Sequence, residues 1–268
     1  MQGSIAQSIG LTLAGNALLQ GRDIGPFWPD SPVFVFCRSV RFVEAASGRR
    51  AAKKIVAPDP MSWFRSLAKE CMGLRLHVVS RQRAEIADWV DVALVGGGSV
   101  WLIETVGCPK PLLWSDQWTF SDGPAARERP WSVTYRGNQP TALLPDVPTD
   151  LDAVEQDLAA TLTRIAAFAD RIDSHFVSFF REALSILERR VPPDRSFTSS
   201  LGPPGFLSPQ AERILGACQA AWVFGGMGAW NDGAYSGGEG DRLTDALFGG
   251  LQTAVAASAS STCAAFGS

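Results

Sequence analysis

An α+β fold, with an antiparallel or mixed sheet in the N-terminal half packed on a C-terminal helical bundle, follows from three features of this 268-residue sequence. Short runs of β-branched and aromatic residues, punctuated by Gly and Pro, fill residues 1–145. From Leu151 onward, apolar residues recur at steps of three and four, the period of a helix. Between them, residues 140–148 are rich in proline, and the pattern changes there. We therefore divide the chain into a β-rich α+β part, 1–145, and a helical part, 146–268. The helical part is apolar on more than one face, so the two are expected to share one core.

Residues 9–19 are apolar but interrupted by Gly10, Gly15 and Asn16, and no Lys or Arg precedes them. A secretory leader needs a basic start and a cleavable small-residue site, and neither is evident. Pro26, Pro29 and Pro32 stiffen the next segment, because each fixes φ and restricts the residue before it. The Val- and Phe-rich stretch 33–43 then reads as a buried strand, or as a strand pair turning near Arg38 and Ser39. Residues 54–57 form a short strand stopped by Pro58 and Pro60.

Trp63, Leu67 and Cys71 lie at helical spacing before Gly73 and predict a helix over 62–71; 74–80 is the next strand. Residues 91–95 and 99–106 are strand-like runs on either side of three glycines, and 111–114 and 131–135 complete a sheet of five to seven strands. From 151 to 187 the helical period runs without Gly or Pro. One straight helix of that length would be about 55 Å long, so a break is expected near Asp173 and Ser174. Residues 192–205 read as a loop. Ser208 is an N-cap and Pro209 a first-turn proline for the helix that follows, which weakens at Gly225 and Gly226. After a glycine-rich loop, Asp241 can cap a last helix bearing Leu243, Leu247, Leu251 and Val255, and the small, polar tail from Ser258 is expected to fray.

Composition excludes several function classes. A net charge of −3 offers no global positive field to a nucleic acid, and no run reaches the roughly 18 uninterrupted apolar residues of a membrane helix. Five scattered cysteines without a C-x-x-C pair, and only two histidines, give no zinc or disulfide framework. Reduced thiols, a cytoplasmic location and no cofactor or metal are the resulting expectations.

Three segments could carry function. In Gly96, Gly97, Gly98 and Ser99, glycine-freed backbone N–H groups would bind a phosphate if the next element were a helix. The alternative is a β-hairpin, which the β-branched and aromatic residues Val100, Trp101, Ile103, Thr105 and Val106 favour. The segment 222–232 places Trp222 and Trp230 beside glycines and Met227, with Asn231 and Asp232 at its edge; it is either an approach surface for a flat ligand or a capped helix end plugged into the core. The segment 114–131 holds Trp114, Trp118 and Trp131 around Asp116, an aromatic loop suited to gripping another protein, or a hairpin over the core. Carboxylates and nucleophiles show no metal-ligand or catalytic spacing. The leading expectation is a non-enzymatic protein-binding module that adapts to or neutralises a partner through Trp-rich loops. The alternative is a transferase-like enzyme holding a nucleotide-sugar or phosphorylated ligand at Gly96–Ser99.

Overall fold

A computed structural model describes residues 1, 3–44, 54–80, 98–122, 128–141, 143–225, 229–230 and 238–265. It opens with helix α1 (Ser4–Leu19) and a 3-10 turn (Pro32–Phe34). Strands β1 (Cys37–Glu44) and β2 (Lys54–Ala57), helix α2 (Pro60–Leu67), and strands β3 (Gly73–Val79), β4 (Val100–Val106), β5 (Leu113–Phe120) and β6 (Trp131–Asn138) follow. The helical half contains α3 (Leu151–Arg171), α4 (Val177–Leu187), α5 (Arg195–Leu201), α6 (Pro209–Ala220) and α7 (Glu239–Ser260). The sheet order is β2-β1-β6-β5-β4-β3. Only β1 and β6 are parallel, so the sheet is mixed and the fold is α+β.

Strand partners directly opposite share a face, and the register sorts the sheet into two unlike surfaces. On one lie Val40, Val133 and Trp118, then Phe42, Tyr135 and Asp116, then Gly137, Trp114, Ile103 and Leu76. This face is largely apolar and packs on helices; Phe42 stacks on Trp63 of α2 with ring centroids 4.1 Å apart. On the other lie Ser39, Ser132 and Thr119, then Arg41, Thr134 and Gln117, then Val43, Arg136, Ser115, Leu102 and His77, then Glu104 and Arg75. Period-two alternation of this kind is what a sheet with one packed face requires.

The interrupted apolar stretch near the N-terminus is the central helix α1, buried continuously from Ala6 to Ala17. A helix buried on all sides has no polar stripe to reveal it. Its glycines allow close contact: a Cβ on Gly15 would lie 2.4 Å from Leu74 Cδ1. Its Asn16 substitutes for a missing strand neighbour at the edge of the sheet. Asn16 Nδ2 donates to the Leu74 carbonyl at 2.9 Å, and its Oδ1 accepts from Leu74 N at 2.6 Å.

The C-terminal tail was expected to fray from Ser258, and the structure corrects this. Ser258 and Ser260 are fully buried. Ser260 Oγ accepts from Leu76 N at 2.9 Å and donates to Leu76 O at 3.2 Å, capping the same sheet edge two residues along. Ser260, which reads as part of a loose end, is there because its hydroxyl replaces a strand ladder.

Other readings change in detail. Residues 33–43 form neither a strand pair nor one long strand; a 3-10 turn comes first, and β1 begins at Cys37. The long helical run breaks as expected, between α3 and α4, with Asp173 in the left-handed region at φ 53°. Ser208 caps α6 through its hydroxyl to Ala211 N at 3.1 Å, and Pro209 is its first residue. The loop 192–205 contains α5, and α7 is capped at Gly238 rather than Asp241. The expected strand 91–95 lies outside the described residues. Cys71 and Cys108 form a disulfide with Cα atoms 4.4 Å apart, against the expectation that all thiols are reduced; the turns before β3 and after β4 bring the two together across antiparallel neighbours, which spacing along the chain does not disclose. The buried side chains of both halves, from Phe42 and Tyr135 to Leu162 and Trp230, form one cluster.

Candidate functional site

The hairpin β5–β6 brings Trp118 and Trp131 together. Their rings meet edge to face at 5.8 Å, and Phe120 packs on Trp131 at 5.2 Å. These residues sit on the helix side of the sheet but beyond the point where helices cover it fully. Opposite them, the 3-10 turn turns the chain so that Phe34 and Cys37 are buried while Val35 and Phe36 face solvent, 50% and 62% exposed. The Trp131 N–H donates to the Phe36 carbonyl at 3.1 Å and ties that turn to the hairpin. Phe120 is 57% exposed.

Between these walls is a cleft of about 390 Å³ lined by Ala6, Val33, Phe36, Trp118, Trp131 and Phe197, with Cys37 also lining it. The indole N–H of Trp118 donates to the Asp116 carboxylate, which holds the ring in place. Burial pushes the Cys37 thiol above its ordinary range, so it remains protonated and acts as a small apolar group rather than a nucleophile. The cleft is suited to receiving an apolar side chain, and offers a partner large aromatic surfaces.

The other predicted residues are elsewhere. Trp114 is 1% exposed and sits in the core against Trp63 and Phe42, at 5.4 and 5.7 Å, with Gly137 making room for it. It is a core residue rather than a binding residue, because its β5 position faces the helices. Trp230 is also fully buried, among Phe168, Phe176 and Phe180, and its indole donates to Thr244 Oγ1 at 2.9 Å. It too is core. Trp222 is half-buried against Phe224 and Phe248 and does not line the cleft. Asn231 and Asp232 lie outside the described residues.

Of the glycine loop, Gly96 and Gly97 lie outside the described residues, Gly98 has φ +80°, and Ser99 Oγ accepts from Gln252 at 2.9 Å. The segment that would have to be a helix is strand β4, flanked by β3 and β5. The phosphate loop therefore has no helix N-terminus to use, and that reading falls; the β-branched residues prevail, although the described partner of β4 on that side is β3.

Val35, Phe36 and Phe197 belong to the site and were not singled out in the sequence, whereas Phe120 stands in the aromatic segment 114–131 that the sequence marks. Residues 34–37 are Phe, Val, Phe and Cys, all apolar, so nothing along the chain marks Val35 and Phe36 as the pair that faces solvent.

A second cluster of titratable groups occupies the opposite face. His77 Nε2 lies 2.8 Å from Glu104 Oε2, its Nδ1 lies 3.3 Å from the Pro145 carbonyl, and Arg75 lies 3.8 Å from the same carboxylate. The hydrogen bond from His77 lowers the Glu104 carboxyl below its ordinary range, against desolvation that raises it. Both ring nitrogens are thus engaged, and the cluster fastens Pro145 to β3 and β4. Among the described residues, no group of three His, Cys, Asp or Glu side chains could hold a metal ion, and no helix is long and apolar enough to cross a membrane. Comparison with protein-family models, curated proteins and solved structures finds no match.

Proposed function

We propose that the protein is a non-enzymatic binding module that recognises another protein through the aromatic cleft between the β5–β6 hairpin and the 3-10 turn. The observation that carries this reading is the convergence of Val35, Phe36, Trp118, Phe120 and Trp131 on one surface. Contiguous exposed apolar surface rimmed by polar residues marks interaction sites. Trp is enriched among the few residues that dominate interface energies. The Asp116 carboxylate fixes the Trp118 indole before a partner arrives, which reduces the ordering entropy lost on binding. A partner would insert an apolar side chain into the cleft while Phe36 and Phe120 pack around its backbone.

The test compares proteins captured by tagged wild type with those captured by Trp118→Ala, Trp131→Ala and Phe36→Asp, using Trp222→Ala as a substitution away from the cleft. Loss of the same partner from the first three, but not the fourth, is expected. Identical partner lists from all five would remove the basis of the reading.

The cytoplasmic location expected from the sequence stands against the Cys71–Cys108 disulfide, because such bonds are rare in a reducing compartment. Its test is the redox state of Cys71 and Cys108 in unstressed cells, read by alkylation before lysis. A fully oxidised pair would move the protein to an oxidising compartment.

A further inference from the structure

We propose that the open face of the sheet carries a second site, centred on Arg41 and Arg136, that holds the phosphomonoester of a phosphorylated side chain on a protein partner. This goes beyond the aromatic cleft, which lies on the opposite face, and stands without it.

Arg41 on β1 is directly opposite Thr134 on β6, and Arg136 is two residues further along β6, on the same face. Such diagonal neighbours have Cα atoms roughly 7–8 Å apart, within reach for two long side chains to meet over one group. Among the described residues neither guanidinium has a carboxylate within ion-pair distance, whereas Arg75 on the same face lies beside Glu104. Arg41 is exposed, and its Nε donates to Thr134 Oγ1 at 3.0 Å. The Arg136 Nε–H is buried without an acceptor, the only buried side-chain donor or acceptor left unmatched on this face among the described residues. Two like charges placed side by side on a sheet destabilise it, and an unmet buried donor adds to that. An anion seated over the pair relieves the repulsion and supplies acceptors to the guanidinium forks.

The charge count selects the anion. Two uncompensated guanidiniums match the −1.5 to −2 charge of a phosphomonoester near neutral pH better than the single charge of a carboxylate or a phosphodiester. Thr134, Ser115 and Gln117, the immediate neighbours on this face, add hydroxyl and amide donors for the remaining phosphate oxygens. Small free molecules bind in concave sites; a sheet face receives a group that a larger partner presents, in the manner of arginine clusters that read phosphorylated motifs.

The experiment is an NMR titration of the full chain, following the Arg136 Nε–H and the Thr134 and Ser115 amides. The probes are inorganic phosphate, a pentapeptide with a central phosphoserine, the same peptide unphosphorylated, the same peptide with Glu at the centre, and a short single-stranded oligonucleotide. The phosphopeptide is expected to move these three resonances saturably, and the unphosphorylated peptide is not. Arg41→Gln and Arg136→Gln are each expected to weaken binding about tenfold or more. Because Arg41 is exposed, the Arg41→Gln protein retains a folded spectrum and its loss is not one of folding. Trp118→Ala leaves the titration unchanged, so failure here and failure of the aromatic cleft are read separately. Absence of shifts overturns the proposal, as does equal binding of the Glu peptide, which would make the face a general anion patch. Tighter binding of the oligonucleotide, or binding of inorganic phosphate without the phosphopeptide, overturns it as well.

Discussion

Replacing Asn16 with leucine separates two accounts of the α1 helix. If α1 is buried because it is apolar, a leucine there should stabilise, by roughly 2 kcal/mol for burying the larger side chain. If Asn16 acts as a surrogate strand, leucine strands the Leu74 N–H and carbonyl, now matched at 2.6 and 2.9 Å, and removes the bond to Thr262 Oγ1 at 2.9 Å. Each orphaned buried backbone group costs about 1–3 kcal/mol, so the pair costs about 4 kcal/mol at mid-range. Set against the leucine gain, the net is a destabilisation of about 2 kcal/mol. With a urea slope of about 3 kcal/mol/M for a chain of this size, the midpoint should fall by about 0.7 M. Urea unfolding followed by tryptophan fluorescence measures this, and hydrogen exchange at the Leu74 amide should accelerate in parallel. A midpoint equal to or above wild type, with Leu74 protection unchanged, would refute the strand-surrogate argument, because then apolar burial alone holds α1.

Three further outcomes follow from the packing. Trp230→Ala should lower stability by about 3–5 kcal/mol, as core aromatic truncations do, whereas Trp118→Ala, at a half-buried rim, should cost less than half of that; guanidinium unfolding of the two proteins compares them. Cys71→Ser opens a link across a sequence separation of 37 residues, which loop entropy values at about 4 kcal/mol; a clear drop in Tm, reproduced when wild type is reduced, is expected. Glu104 titrates below its ordinary value in the folded protein, so its contribution is present above the unfolded carboxylate range near pH 4.5 and is lost as pH falls through the lower, folded value. Glu104→Gln should therefore flatten the acid limb of the stability profile below about pH 4.5 and reduce stability at pH 7; an unchanged acid limb would show that His77 does not hold this carboxylate.

Much of the architecture was legible because it repeats. The three-four spacing from Leu151 to Leu187 announces helix whatever it packs against, and the need for a break follows from its length. Ser208 and Pro209 mark a helix start through local hydrogen bonding. The β-branched residues of 100–106 decided strand over helix, and with it the fate of the glycine loop. The aromatic cleft was half legible: Trp118 and Trp131 stand out as types, but nothing along the chain separates them from Trp114 and Trp230, which lie in the core.

Local residue preferences and periodicity therefore determined the fold class, most strand and helix identities and the turn between α3 and α4, because those depend on neighbours a few positions away. Only the tertiary structure decided what depends on distant partners. It made α1 an interior helix through Gly15 and Asn16, turned the tail at Ser260 into the cap of a sheet edge, and paired Cys71 with Cys108. It also set Arg41 near Arg136 without a carboxylate partner among the described residues and sorted four tryptophans into core and surface. Such contacts carry no signature along the chain, because the residues that form them meet only when the sheet brings them together.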